Sequence, residues 1–192
     1  MNFLGVNSRE EIKKLQKKGL TRIIDHGYNN NTSYRNKFDR LGIKPSDIND
    51  LSDIEKLPFT TKEDLRNNYP YGMSCVPEEK IMRIHMSSGT TGSPVLQPYT
   101  KSDIDQWSTA MARCLYVAGV RENDVMQITP SFGLFNGGFV FHDGAERIGC
   151  MIVPAGPGNT KRQIKFIEDF GTTSLGSVAS YAIRIMEVAE EE

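Results

Sequence analysis

Apolar residues in the first eighty positions come in short, helix-spaced groups separated by polar stretches. Ser8 followed by Glu11 reads as a capping box ahead of Ile12, Leu15, Ile23 and Ile24, and Tyr34, Phe38 and Leu41 share a helix face that Gly42 closes. Ile48, Leu51, Ile54 and Leu57 recur every three residues until Pro58. Thr61 with Asp64 opens a further turn, which Asn68, Tyr69 and Pro70 end. The apolar content here is thin, so the pattern predicts a helical layer over residues 1–80 that packs on something else rather than around a core of its own.

From residue 81 the rhythm changes. Ile81 to His85 reads as a strand, and Thr100 with Asp103 caps a helix carrying Ile104, Trp107, Met111 and Leu115, which Gly119 ends. A strand from Asp124 to Thr129, a helix from Gly137 to Ile148 and a strand from Cys150 to Val153 follow. Then come a helix capped by Thr160 and Gln163, a strand from Thr172 to Val178 and a helix from Ser180. Strands alternating with such helices require right-handed crossovers, which predicts an α/β fold over residues 81–192: a parallel sheet with helices on both faces. The last helix carries Ile183, Ile185, Met186 and Val188 into Glu190, Glu191 and Glu192, three carboxylates at the negative end of the helix dipole with no glycine or lysine cap. This predicts a domain that continues further, a natural acidic tail being the alternative. An open sheet edge and an apolar face would then favour self-association, so a homodimer is expected.

Composition narrows the partners. Lys and Arg number 23 against 24 Asp and Glu in 192 residues, so no net field draws the chain to nucleic acid or an anionic membrane, and neither is an expected partner. No stretch approaches the roughly 18 apolar residues of a membrane span. The start, with Arg9, Glu10, Glu11, Lys13 and Lys14, has no apolar leader core, and a cytoplasmic location is expected. Cys75, Cys114 and Cys150 are odd in number and far apart, with no C-x-x-C and no histidine at ligand spacing. They predict neither disulfides nor a zinc site, no metal ligand is assigned, and each reads as a small core residue.

The strongest local chemistry lies at Ser87-Ser88-Gly89-Thr90-Thr91-Gly92-Ser93-Pro94. Two glycines allow close backbone approach, successive N–H groups form an anion nest, and the hydroxyls add donors suited to phosphate oxygens. No G-K-[ST] follows at Walker A spacing, which argues against P-loop hydrolysis. A flexible polar hairpin is the alternative.

With Arg83-Ile84-His85 before it and Pro94 and Tyr99-Thr100 after it, this loop resembles the phosphate-binding signature of acyl-adenylate-forming enzymes, in the version found in phenylacetate–coenzyme A ligases. Leu57-Pro58-Phe59-Thr60-Thr61-Lys62-Glu63-Asp64-Leu65-Arg66, Tyr69-Pro70, Gly133-Leu134-Phe135 with Gly137-Gly138, and Gly144-Ala145-Glu146-Arg147 with Gly149 resemble that family in order and spacing. The resemblance implies an ATP-dependent, AMP-forming ligase acting in two steps. A small aromatic carboxylic acid attacks the α-phosphate of ATP, and the thiol of coenzyme A then takes the acyl group, with Mg²⁺ as a further requirement. Both steps develop charge on oxygen and need preorganised donors rather than a side-chain nucleophile. The resemblance assigns Ser87, Ser88, Gly89, Thr90, Thr91 and Gly92 to the phosphates, with Thr90 and Thr91 the main catalytic donors.

It further implies that residues 1–192 are an N-terminal fragment, inactive alone, with adenine and ribose recognition, the hinge and the assisting lysine elsewhere. A ligase for another acid or for cofactor F420, or a non-catalytic phosphate-binding module, are the competing readings. The sequence departs from the family in two places: Ser93 stands where a lysine is common, and Thr129-Pro130-Ser131-Phe132 has less tyrosine and glycine than usual. For the acid pocket, Phe132, Phe135, Gly137 and Gly138 are the candidates, because a flat ring needs aromatic walls and a backbone without side chains. Ordinary packing is the competing role for these residues, and for His85 and His142. Gly156 to Thr160 reads as a turn, and Lys161, Arg162 and Lys165 as a solvated helix face.

Overall fold

The computed structural model describes residue 5, residues 8–87 and residues 94–191. The chain divides into two compact units, residues 1–98 and 99–192.

The first unit opens with helix α1 (Arg9–Asn30), where the Ser8 hydroxyl accepts from the Glu11 N–H at 3.1 Å. Helix α2 (Thr32–Arg40) follows after a single residue, Asn31, which ends one helix and caps the next. Its side chain is buried, so each polar atom needs a partner. Oδ1 accepts from the Tyr34 N–H, and Nδ2 donates to the carbonyls of Gly72 and Ser74 at 2.9 and 3.0 Å. Of the residues spaced by three, Leu51 and Ile54 lie in the 3-10 segment Leu51–Lys56, a helix type whose side chains eclipse every third position, while Ile48 and Leu57 cap the ends of Pro45–Asp47 and Leu51–Lys56.

Contrary to the expectation of a layer without its own core, Ile24, Phe38 and Ile48 are buried together, with Leu20, Tyr28, Ile43 and Leu57 around them. Residues far apart in sequence supply that cluster, which windowed apolar content does not register. Thr61 and Asp64 form the expected box on helix α3 (Lys62–Asn67). Strand β1 (Ile81–Met86) pairs with β2 (Leu96–Thr100), a strand the sequence reading lacked.

The second unit holds helix α4 (Lys101–Val117), strand β3 (Val125–Ile128), helix α5 (Gly137–Ile148), strand β4 (Met151–Val153), helix α6 (Thr160–Phe170), strand β5 (Ser174–Gly176) and helix α7 (Ala179–Glu190). The sheet is parallel in the order β4-β3-β5, with Met126 beside Ile152 on one side and Ser174 on the other. Strand alternation sorts β3 between two faces. Met126 and Ile128 pack with Leu115 of α4 and Ala145 of α5, whereas Gln127 meets Gln163 of α6. Leu175, paired in register with Gln127, lies in the cluster of Ile164, Ile185 and Val188 from α6 and α7. Helices thus cover both faces, as the alternating pattern predicts.

Two local expectations are corrected. Asn159, not Thr160, caps α6: it sits at φ 50° and its side chain accepts from the Arg162 N–H at 3.1 Å, a conformation asparagine tolerates better than threonine. Cys114 is exposed rather than a core residue, because α4 buries the face of Ser108, Ala112 and Leu115 instead.

Candidate functional site

Among the residues assigned to the phosphates, Ser87 lies within the described structure; Ser88, Gly89, Thr90, Thr91 and Gly92 lie outside the described residues. Ser87 closes the base of that segment. Its N–H donates to the Val95 carbonyl at 3.0 Å and its hydroxyl oxygen accepts from the Val95 N–H at 2.9 Å. The Ser87 O–H proton is not consumed by either bond, so the hydroxyl keeps a donor for an anion. Just before it on β1, His85 is 1% exposed, a buried strand residue rather than a surface one.

Upstream in the same unit, the segment Leu57 to Arg66 is held by charge. Lys37 of α2 donates to the Phe59 carbonyl at 2.8 Å and pairs with Asp64 at 2.6 Å. Asp64 also accepts from the Thr61 N–H and hydroxyl. The Lys37 hydrogen bond, then those of Thr61, hold its carboxyl down at about 2.

In the second unit the acid-pocket candidates gather at the start of α5. Phe132 packs against the core and meets Phe139 edge-on at 5.5 Å and His142 at 6.1 Å. Gly138 donates its N–H to the Ser131 carbonyl at 2.9 Å, and a Cβ there would lie 2.7 Å from that oxygen and 2.9 Å from Phe132 Cγ. At Gly137 a Cβ would lie 3.0 Å from Pro130. Both glycines therefore let the 130–132 turn fold onto the helix start, which is what sets the Phe132 ring. Phe135 is half exposed.

Two features escaped the sequence reading. Gln127 and Gln163 are each 0% exposed, and they form a buried amide relay. Gln127 Nε2 donates to Gln163 Oε1 at 2.7 Å, the Thr172 hydroxyl donates to Gln127 Oε1, and Gln163 Nε2 donates to the carbonyls of Gly156 and Gly158 at 2.8 and 3.2 Å. The relay fixes the 154–159 loop at the carboxyl end of the sheet, the edge where ligands bind in open α/β folds. On α5, His142, Asp143 and Glu146 bring ligand-type atoms within 4.8 Å of one another, a grouping their one- and four-residue spacing could have suggested. There His142 Nδ1 lies 3.5 Å from Asp143 Oδ1.

The sequence is 43% identical over 183 residues to the phenylacetate–coenzyme A ligase of Aromatoleum evansii, covering 95% of this chain and 42% of that protein. Against the protein of the same name from Escherichia coli (strain K12) it is 42% identical over 185 residues, covering 96% and 42%. Over nearly its whole length the chain is similar to phenylacetate–coenzyme A ligases. It spans about two fifths of the length of these ligases. No protein-family model matches it.

The fold agrees with that similarity. A 2-hydroxyisobutyryl-CoA ligase, solved with 2-HIB-AMP and CoA in the thioesterification state, superposes with a TM-score of 0.89 at 29% identity, over 96% of this chain and 41% of that one. Its open conformation gives 0.88 at 28% identity, over 95% and 44%. These are the α/β folds of adenylate-forming ligases, and the parallel sheet and covering helices described above are this ligase relative's share of that fold.

Proposed function

We propose that this chain carries the phosphate-handling part of an ATP-dependent, AMP-forming ligase that joins phenylacetate or a close aryl acid to coenzyme A. One observation carries the reading: 38 to 43% identity across 93 to 96% of the chain with four proteins that all bear that name.

In the first step a carboxylate oxygen attacks the α-phosphorus, the bond to pyrophosphate breaks, and acyl-adenylate forms. In the second the coenzyme A sulfur attacks the acyl carbon, its proton leaves, and AMP departs. Ser87, Ser88, Thr90 and Thr91 donate hydroxyl hydrogen bonds to phosphate oxygens as charge grows there, and Gly89 and Gly92 let the backbone N–H groups close on the same oxygens. With Ser93 following the second glycine, the loop brings no fixed cation. Charge compensation would then come from magnesium bound with ATP or from residues outside this chain. Phe132, Phe135, Gly137 and Gly138 form the acid side, with Phe132 held in place by its packing on α5. Residues 1–80 serve as the helical layer and 81–192 as the nucleotide-binding subdomain; we place the enzyme in the cytoplasm and expect a homodimer. Among the described residues no helix is long and apolar enough to cross a membrane.

A second acid is favoured by one observation: the solved neighbours hold an adduct of 2-hydroxyisobutyrate, which has no aromatic ring. The test for both is a fusion of residues 1–192 to the unmatched remainder of the Escherichia coli relative, assayed for pyrophosphate release from ATP with phenylacetate and with 2-hydroxyisobutyrate. Phenylacetate-dependent release is expected, with residues 1–192 alone at background. Release driven by 2-hydroxyisobutyrate alone moves the assignment to the second acid, and release with neither contradicts the ligase reading.

A further inference from the structure

An open groove of about 400 Å³ runs along α4 and ends at the last turn of α5. Its origin is a glycine. Gly144 of α5 lies so close to α4 that a Cβ would be 2.5 Å from Met111 Cγ and 3.2 Å from the Ala112 nitrogen, so the helices meet there and leave the groove beside the crossing. Ser102, Asp105, Gln106, Thr109 and Arg113 line it from α4, at spacings that put them on one helix face, and Arg147 lines it from α5.

The polar side chains of α4 are bonded to their own helix. Gln106 donates to Ser102, and the Thr109 hydroxyl donates to the Asp105 carbonyl at 2.7 Å. The arginines are not neutralised. Arg147 donates to the Ser108 hydroxyl at 3.3 Å, and Arg113 has no hydrogen-bond or ion-pair partner among the described residues. The carboxylate in the lining, Asp105, faces Lys101 at 3.7 Å. Two guanidinium forks therefore line one concavity, neither of them ion-paired among the described residues, in a protein whose net charge is −1.

We propose that this groove binds a phosphorylated small molecule, with Arg113 and Arg147 each taking a phosphate group. Planar guanidinium donors match phosphate oxygens two at a time, and a volume of this order accommodates a nucleotide rather than a lone ion. A nucleotide bearing two separate phosphate groups, as the adenosine end of coenzyme A does, and free inorganic phosphates share this chemistry. The site is distinct from the Ser87–Ser93 loop, and the proposal stands whether or not the ligase reading does.

The test is an NMR titration of the ¹⁵N-labelled chain with adenosine 3′,5′-bisphosphate, pyrophosphate and inorganic phosphate, following the amides of residues 102–113 and 147. Saturable shifts are expected there. Arg113→Gln and Arg147→Gln should each weaken binding about tenfold, the loss of a charge-assisted pair, while Arg162→Gln on α6 should leave it unchanged. Asp105→Asn, which removes a repelling carboxylate, should tighten binding severalfold, a gain that a purely structural role would not give. Tighter binding of the bisphosphate assigns a nucleotide, and equal binding of all three assigns free phosphate. Shifts confined to residues 87–95 would support the ligase loop and overturn this site, as would equal binding by the parent and both arginine variants.

Discussion

The two units reach order by different means. Residues 1–98 bury a cluster of three apolar side chains and rely on polar ties: Asn31 to residues 72 and 74, Lys37 to Phe59 and Asp64, and Tyr28 to Asp39 at 2.8 Å. Residues 99–192 sandwich a sheet between apolar clusters on both faces, with Met126 and Ile128 nearly inaccessible. Sheet burial gives the second unit a continuous core. The first, with little apolar area to remove from water, depends on the geometry of individual bonds.

The largest expected effect comes from the small core. Phe38→Ala removes one of its three members and should cost about 3–5 kcal/mol, read by urea unfolding, with amide exchange rising across α1 and α2. If exchange there stays at the parent level, the polar ties rather than the apolar cluster hold the first unit. Next is Gln163→Leu, which strips the carbonyls of Gly156 and Gly158 and the amide of Gln127 of a buried partner. A cost of about 2–3 kcal/mol is expected, and a loss under half of that would mean water replaces the relay. Both units carry the same capping box, Thr61 with Asp64 and Thr100 with Asp103. Thr→Ala should cost about 1 kcal/mol at either position. Exchange should rise over all of six-residue α3 yet only in the first turn of α4, which is 17 residues long.

The smallest effect is acid sensitivity. Asp64 and Asp53 both titrate at about 2 in the folded chain against an ordinary 3.8, Asp53 chiefly through its hydrogen bond from Lys56. Depressed carboxylates contribute stability that is complete above the unfolded value and is lost as pH falls from about 4 toward 2. Asp64→Asn should therefore lower the unfolding midpoint at neutral pH and flatten its dependence in that window; an unchanged slope would show that the pair with Lys37 contributes nothing.

Much of this was legible in sequence because it is local. Gly137 to Ile148 is a helix at the expected bounds, and Thr61–Asp64 and Thr100–Asp103 are boxes as read. Strand β2 was hidden because Gln97 and Pro98 break the alternation and its partner β1 lies across the loop. Gln127 and Gln163 look like surface residues until the fold faces one with the other. At the candidate site, the loop's composition pointed to phosphate, but the closure of its base by Ser87 and Val95 depends on strand pairing, and the fit of Gly138 to Phe132 on tertiary contact.

Quenched-flow measurement of acyl-adenylate formation tests whether the Ser/Thr/Gly loop works on phosphate during adenylation. In the fusion carrying residues 1–192, Thr91→Val keeps the side-chain shape and removes one donor from a loop without a lysine. Losing one such donor costs on the order of a hundredfold in rate, so the adenylation rate constant should fall by that order with the unfolding temperature almost unchanged. A Thr91→Val rate within about threefold of the parent would contradict the account and leave the threonine as part of a turn.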